Sequence, residues 1–168
     1  MRKTLALAAL AMLSFSPVWA QENVVSSSIT INAPAKAVWE AVHTERQNDP
    51  DLEYSKVLEQ HGNQALIEQK FNSLPVIGAA VCQLIQREVP LERIDYKLVK
   101  SDKFKALNGS WVLTPSPDGQ STTLALSSHL DTGMAYSQGV IDLLTKKKID
   151  KRLDNVKRAA EAVAVIPQ

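Results

Sequence analysis

"ITINAPAKAVWEAV", Ile29–Val42, changes period in its middle. Ile29, Ile31 and Ala33 alternate with polar residues, the two-residue repeat of a strand with one buried face. Past Pro34, Val38, Trp39 and Val42 recur at helical spacing. Proline has a fixed φ and no N–H to lose, which suits the first turn of a helix. Asn32 is the expected cap nearby. The stretch therefore reads as a strand, Val24 to Ala33, passing directly into a short helix, Ala35 to His43. The polar segment "TERQNDPDLEY", broken at Pro50, is expected to add a second short helix before a turn.

From there the texture is that of strands. "YSKVLEQ" and "ALIEQKF" flank "HGN", a hairpin signal with Gly62 and Asn63 at the turn. One strand is expected from Ala79 to Val89, ended by Pro90. "ERIDYKLV" alternates, with Ile94, Tyr96 and Leu98 on one side and Arg93, Asp95 and Lys97 on the other. "NGSWVLTP", the turn "SPDG" and "STTLALSSHL" complete an antiparallel meander. From Ser137 to Val163 there is no proline, and Ile149, Leu153, Val156, Ala160 and Val163 form an apolar stripe at steps of four and three.

The expected order is a strand, two short helices, about six antiparallel strands and one long helix. A sheet that is apolar on one face must cover it, and the long stripe is the element suited to do so. This is an α+β class protein: a curved antiparallel sheet of about seven strands wrapped on a long C-terminal helix.

The first twenty residues have a different character. Arg2 and Lys3 precede the apolar "LALAALAMLSF", and "VWA" ends in Ala20 before Gln21. That layout predicts a signal peptide cleaved near Ala20, leaving residues 21–168 as one domain in the periplasm or secreted. The apolar run is too short for a spanning helix, and no later stretch is apolar enough. Setting Arg2 and Lys3 aside from the 19 basic residues leaves a formal charge of −1 against 18 acidic ones, a balance that does not call for nucleic acid. Cys82 is the only cysteine, so the chain has no internal disulfide. Its setting, "VIGAAVCQLI", predicts a small buried hydrophobe.

At the level of motifs, "ITINAPAKAVWEAVHTERQNDPDLEYSKVLEQ" resembles the opening of the START-like superfamily (SRPBCC), that of the polyketide cyclases/dehydrases and lipid-transport proteins. Ile31, Ala33, Pro34, Val38, Trp39 and Glu40 match its usual "I.APa..VWe" start, and Asp49–Pro50 stands about where the family has its own proline. "NGSWVLTPSPDGQSTTLALSSHLDT" is similar to the family's later hairpin at Gly109, Trp111, Leu113, Gly119 and Thr123. The resemblance implies the helix-grip fold of birch-pollen-type allergens, with a cavity between sheet and long helix, in an exported bacterial member. It implies a binder or transporter of a small hydrophobic molecule or lipid. An enzyme of cyclase, dehydrase or hydrolase type, and a module binding another envelope protein, are the alternatives. Function argued from fold alone is analogy.

Candidate residues follow from alternation. Phe71, Ile67 and Gln69 share a strand face; Tyr96 shares one with Leu98, and Trp111 with Leu113. Tyr136, Val140 and Leu144 stand at the start of the long helix. These are the expected ligand-binding residues, the apolar ones for contact and Gln69 for orientation. For acid–base chemistry the candidates are His129, Asp131 and Tyr136. His61 lies in a turn and reads as solvated, and His43 reads as a cation at a helix C-terminus. The histidines lack metal-ligand spacing, and phosphate-binding and dinucleotide glycine patterns are absent, so no metal or cofactor is expected. "KKKIDKR" places Lys146, Lys147, Lys148, Lys151 and Arg152 together. It reads either as a solvated helix face, with Asp142 and Lys146 paired, or as a surface for transient contact with anionic lipid headgroups.

Overall fold

The computed structural model describes residues 23–135 and 137–164, the side chain of Ser73 excepted. The expected signal segment and Tyr136 lie outside the described residues.

Strand β1 (Val25–Ile31) alternates half-buried and exposed side chains and ends on fully buried Ile31. Pro34, at φ −62°, starts helix α1 (Ala35–Gln47), and its carbonyl accepts from the Val38 N–H at 3.2 Å. Asn32 does not cap this helix by its side chain; its N–H donates to Glu161 Oε1 at 2.9 Å. A second short helix is also absent after α1. Thr44 to Gln47 extend the first one, since Glu45, Arg46 and Gln47 are good helix formers. The helix stops at Asn48, whose N–H and side-chain amide both donate to the Thr44 carbonyl. Pro50 disfavours helical φ and ψ at Asp49, and the chain turns there.

Six strands follow: β2 (Leu52–His61), β3 (Gln64–Leu74), β4 (Gly78–Val89), β5 (Arg93–Ser101), β6 (Ala106–Pro115) and β7 (Thr122–Asp131). The β2–β3 hairpin has Gly62 at φ +58° in the first of its two turn positions, where a left-handed residue matches the twist of the strands. The sheet is antiparallel throughout, in the order β1-β7-β6-β5-β4-β3-β2. β1 and β2 are thus opposite edges, and α1 carries the chain from one to the other. Register shifts fall at Leu52/Tyr54, Val57/Glu59, Phe71/Leu74 and Gln83/Leu84, all in the β2–β5 half. Such irregularities bend strands and increase their twist.

Helix α2 (Gln138–Ala164) packs on α1, β1 and β7. It buries Ile149, Leu153, Val156 and Ala160 of the expected stripe, and Ile141 as well. Val163 leaves the stripe and is 61% exposed. Glu161 already reaches Asn32, beyond the end of β1, so the final turn outlasts the sheet.

The core is divided. One cluster joins Val38 and Val42 of α1, Trp111 of β6, Leu124 of β7, and Leu153 and Val156 of α2. The other joins Ala65 and Ile67 of β3, Ala80, Cys82 and Leu84 of β4, and Phe104. Cys82 is 1% exposed, and burial pushes its thiol up to about 12. A thiolate is the reactive form. Ellman's reagent at mildly alkaline pH should therefore react with the folded protein at least about 100-fold more slowly than with the urea-unfolded chain. Comparable rates in the two states would mean that the site is open.

Candidate functional site

Between the two clusters lies a cavity of about 370 Å³. That is within the roughly 300–1,000 Å³ range of small-molecule sites. Its sheet wall comes from inward alternate positions: Ile67, Gln69 and Phe71 of β3, Leu84 of β4, Tyr96 of β5, Trp111 of β6, and Leu126, Ser128 and Leu130 of β7. Ile141, Leu144, Thr145 and Ile149 of α2 face them. Phe104 closes one side, its ring edge-on to Phe71 at 6.1 Å between centroids. The end of β3 contributes Leu74, and the β3–β4 turn Pro75 and Ile77, at the margin. Val76 in that turn has φ +60°, a strained value for a β-branched residue.

Of the residues expected from the sequence, Ile67, Gln69, Phe71, Tyr96, Trp111 and Leu144 lie on this wall. Leu98, Leu113 and Val140 do not. Leu98 packs against the second core cluster, next to the irregular pairing of β4 and β5. Leu113 is buried in the first cluster with the two helices. Val140 is turned outward and 43% exposed. Leu126, Ser128 and Leu130 are not among the expected residues, although their alternation in "LALSSHL" marks them as one face. Leu52, Phe104 and Leu107 belong to turns and strand ends, where periodicity carries little information.

The same alternation separates His129 and Asp131 from the cavity wall. His129 Nδ1 lies 3.0 Å from the Asn23 carbonyl oxygen. Asp131 Oδ1 accepts from the Gly133 N–H at 2.7 Å. His43 is not at the end of its helix; it packs edge-on to Trp39, with Nε2 3.6 Å from Glu88 Oε2, and burial lowers its pKa. His61 is solvated, in a side chain 84% exposed. Among the described residues no group of three or more His, Cys, Asp or Glu side chains is placed to hold a metal ion.

Polar groups gather at one side of the cavity, where α1 ends beside the middle of α2. Arg46, Asp49, Asp51, Lys148 and Arg152 all line it. Lys148 Nζ is 2.7 Å from Asp51 Oδ2 and 3.4 Å from Asp49 Oδ2, and stands over the Phe71 ring. Arg152 stacks on Trp111 at 5.1 Å, with Glu45 Oε1 at 3.6 Å and Asp49 Oδ2 at 3.7 Å. Burial raises the Glu45 carboxyl, and Arg152 counters that. The basic run is therefore split. Lys146 pairs with Asp150 at 2.7 Å, not with Asp142, whose carboxylate accepts from Gln138. Lys148 and Arg152 are engaged within the protein, and Lys147 and Lys151 are at the cavity margin, both exposed.

Tyr96 is held across β6. Its hydroxyl donates to the Ser127 carbonyl at 3.3 Å, and burial raises the phenol's pKa. The ring passes where residue 109 would carry a side chain: a Cβ there would collide with Tyr96 Oη and with the Ser127 carbonyl oxygen. Only glycine leaves that space, which gives Gly109 a steric role.

A seven-stranded antiparallel sheet closed over a long C-terminal helix, with an apolar cavity between them, defines the helix-grip class. The chain belongs to the polyketide cyclase/dehydrase and lipid transport family, whose model matches residues 23–161. It is similar in structure to a START superfamily protein from Mycobacterium smegmatis (TM-score 0.68, 15% identity, covering 83% of this chain and 98% of that one). It is similar also to a protein of Thermus thermophilus (0.67, 16%, 84% and 99%) and to the Zhui aromatase/cyclase of Streptomyces sp. R1128 (0.65, 18%, 84% and 94%). At these identities the likeness is one of fold. No curated protein matches this sequence. Family and fold support a hydrophobic ligand-binding or cyclase-type role.

The Gly109→Ala substitution should lower the urea midpoint by an amount equivalent to about 1–3 kcal/mol, the usual range for overpacking. An unchanged midpoint would show that the Tyr96 ring and the Ser127 carbonyl both give way freely.

Proposed function

We propose that this protein binds a small hydrophobic molecule or lipid in the cavity, and that it acts outside the cytoplasm as a carrier or sensor. The observation that supports this most directly is the gap between the two core clusters, walled by large apolar side chains from both. Protein interiors are ordinarily packed to crystal-like density. A space of this size and lining is suited to an apolar occupant, which would gain about 25 cal/mol per Å² of buried apolar surface before the costs of association. Export is supported by the basic, apolar and small-residue pattern of residues 2–20. An acid–base mechanism through His129 and Asp131 has no support from their positions, since neither lines the cavity.

The test is titration of the protein with N-phenyl-1-naphthylamine, an uncharged dye that brightens in apolar surroundings. Saturable binding is expected, at one site. Leu130→Trp, which fills part of the cavity, should weaken it about tenfold or more while the circular dichroism spectrum is kept. Dye binding indifferent to Leu130→Trp would remove the cavity as the site. Export is checked by N-terminal sequencing of protein recovered from the periplasm, where the first residue should be Gln21.

A further inference from the structure

The wall of the cavity is not electrically neutral. Arg46, Lys148 and Arg152 line it with the carboxylates of Asp49 and Asp51, while Lys147 and Lys151 stand exposed at its margin. Those two carboxylates are already answered: Lys148 lies 2.7 Å from Asp51 and 3.4 Å from Asp49. The guanidinium of Arg152 is not answered to the same degree. Its nearest carboxylate oxygens stand at 3.6 and 3.7 Å, beyond hydrogen-bond range, and its buried Nε has no hydrogen-bond partner among the described residues. Its plane lies over Trp111, which attracts the cation but supplies no lone pair. Arg46, the second guanidinium on the wall, gives hydrogen to Gln86 and stands 3.7 Å from Glu88. Burial, and next the charge of Arg152, pull its pKa down to about 10, so the two cations repel each other across the site. Buried donors without acceptors are costly, and a ligand that supplies the acceptor recovers that cost. Guanidinium forks match planar or tetrahedral oxyanions, and such charge-assisted bonds are the strong ones.

We infer that the occupant is an amphipathic anion: an apolar body lying against Ile67, Leu84, Phe104 and Leu130, and one oxyanion head facing Arg152 and Arg46. This rests on the proposed cavity function and adds the charge of the ligand. A carboxylate and a phosphate monoester share the required chemistry. A cationic head is disfavoured because the two aspartates already hold Lys148.

Displacement of N-phenyl-1-naphthylamine from the full chain separates these cases. The competitors share one chain and differ in head: laurate, dodecyl phosphate, dodecanol and dodecyltrimethylammonium, each below its micelle concentration. At least one of the two anions should compete about tenfold better than dodecanol, with the cation weakest; whichever anion leads identifies the head. In Arg152→Gln the anion-to-alcohol ratio should fall to about threefold or less. Asp49→Asn, which removes a competing acid beside Arg152 and keeps the side-chain shape, should widen the ratio. It carries the test if Arg152→Gln does not fold. Equal competition by all four heads, preference for the cation, or a ratio untouched by both variants would overturn the inference and leave apolar binding standing. Failure of the dye to bind at all would overturn the cavity reading beneath it.

Discussion

A helix is about 10 Å across, and a seven-stranded sheet is roughly 30 Å wide. No single helix can cover such a surface, and the rest of this structure follows from that mismatch. Helices α1 and α2 pack together over the β1, β7 and β6 side, where the first core cluster forms. The inner faces of β3 and β4 receive no comparable cover from a helix. They are instead enclosed by the bend of their own half of the sheet, in which all the register shifts fall, and by Phe104. Two apolar surfaces face each other across the remaining distance. Closing that distance would require flattening the bulged strands or replacing the lining by larger side chains.

The polar side of the cavity follows from the same geometry. α1 runs longer than its apolar face requires, and its added turn brings Glu45 and Arg46, then Asp49 and Asp51, against the middle of α2. Their partners, Lys148 and Arg152, are one helical turn apart on α2 and so share a face. The contacts tie the two helices together at the point where the sheet departs from them. Individually, such partly exposed ion pairs contribute little, about 0–1 kcal/mol. Their larger consequence is to place charge on an otherwise apolar wall, where low dielectric strengthens its effect on anything bound.

Local patterning makes most of the fold legible. The period change at Pro34, the alternation of β5 to β7 and the stripe of α2 each depend only on neighbours in sequence, and each appears in the structure within a residue or two. Alternation also finds Ile67, Gln69, Phe71, Tyr96 and Trp111, because side-chain parity survives any curvature of the sheet. It fails where parity is insufficient. Leu113 has the same parity as Trp111, but two residues further along the strand lies packed in the first cluster, not on the cavity wall. Leu98 shares its face with Tyr96, yet the irregular β4–β5 pairing removes it from the wall. The division of "KKKIDKR" between internal pairs and lysines at the margin depends on where α1 ends, a contact across about a hundred residues. The extra turn of α1 is itself hidden in the sequence, because Pro50 suggests an earlier break than the helix-forming residues before it allow.

A cavity between two core clusters also links occupancy to stability. The lining side chains forfeit dispersion contacts wherever the space opposite them holds no close neighbour. A ligand that fits would restore those contacts to both clusters at once and so act as a bridge between them. At a concentration of about 100 times its dissociation constant such a ligand adds about 2.7 kcal/mol to the folded state, a sizeable part of the roughly 5–15 kcal/mol that holds a domain of this size together. The space under α2 thus leaves the two clusters short of contacts that a fitting ligand would supply.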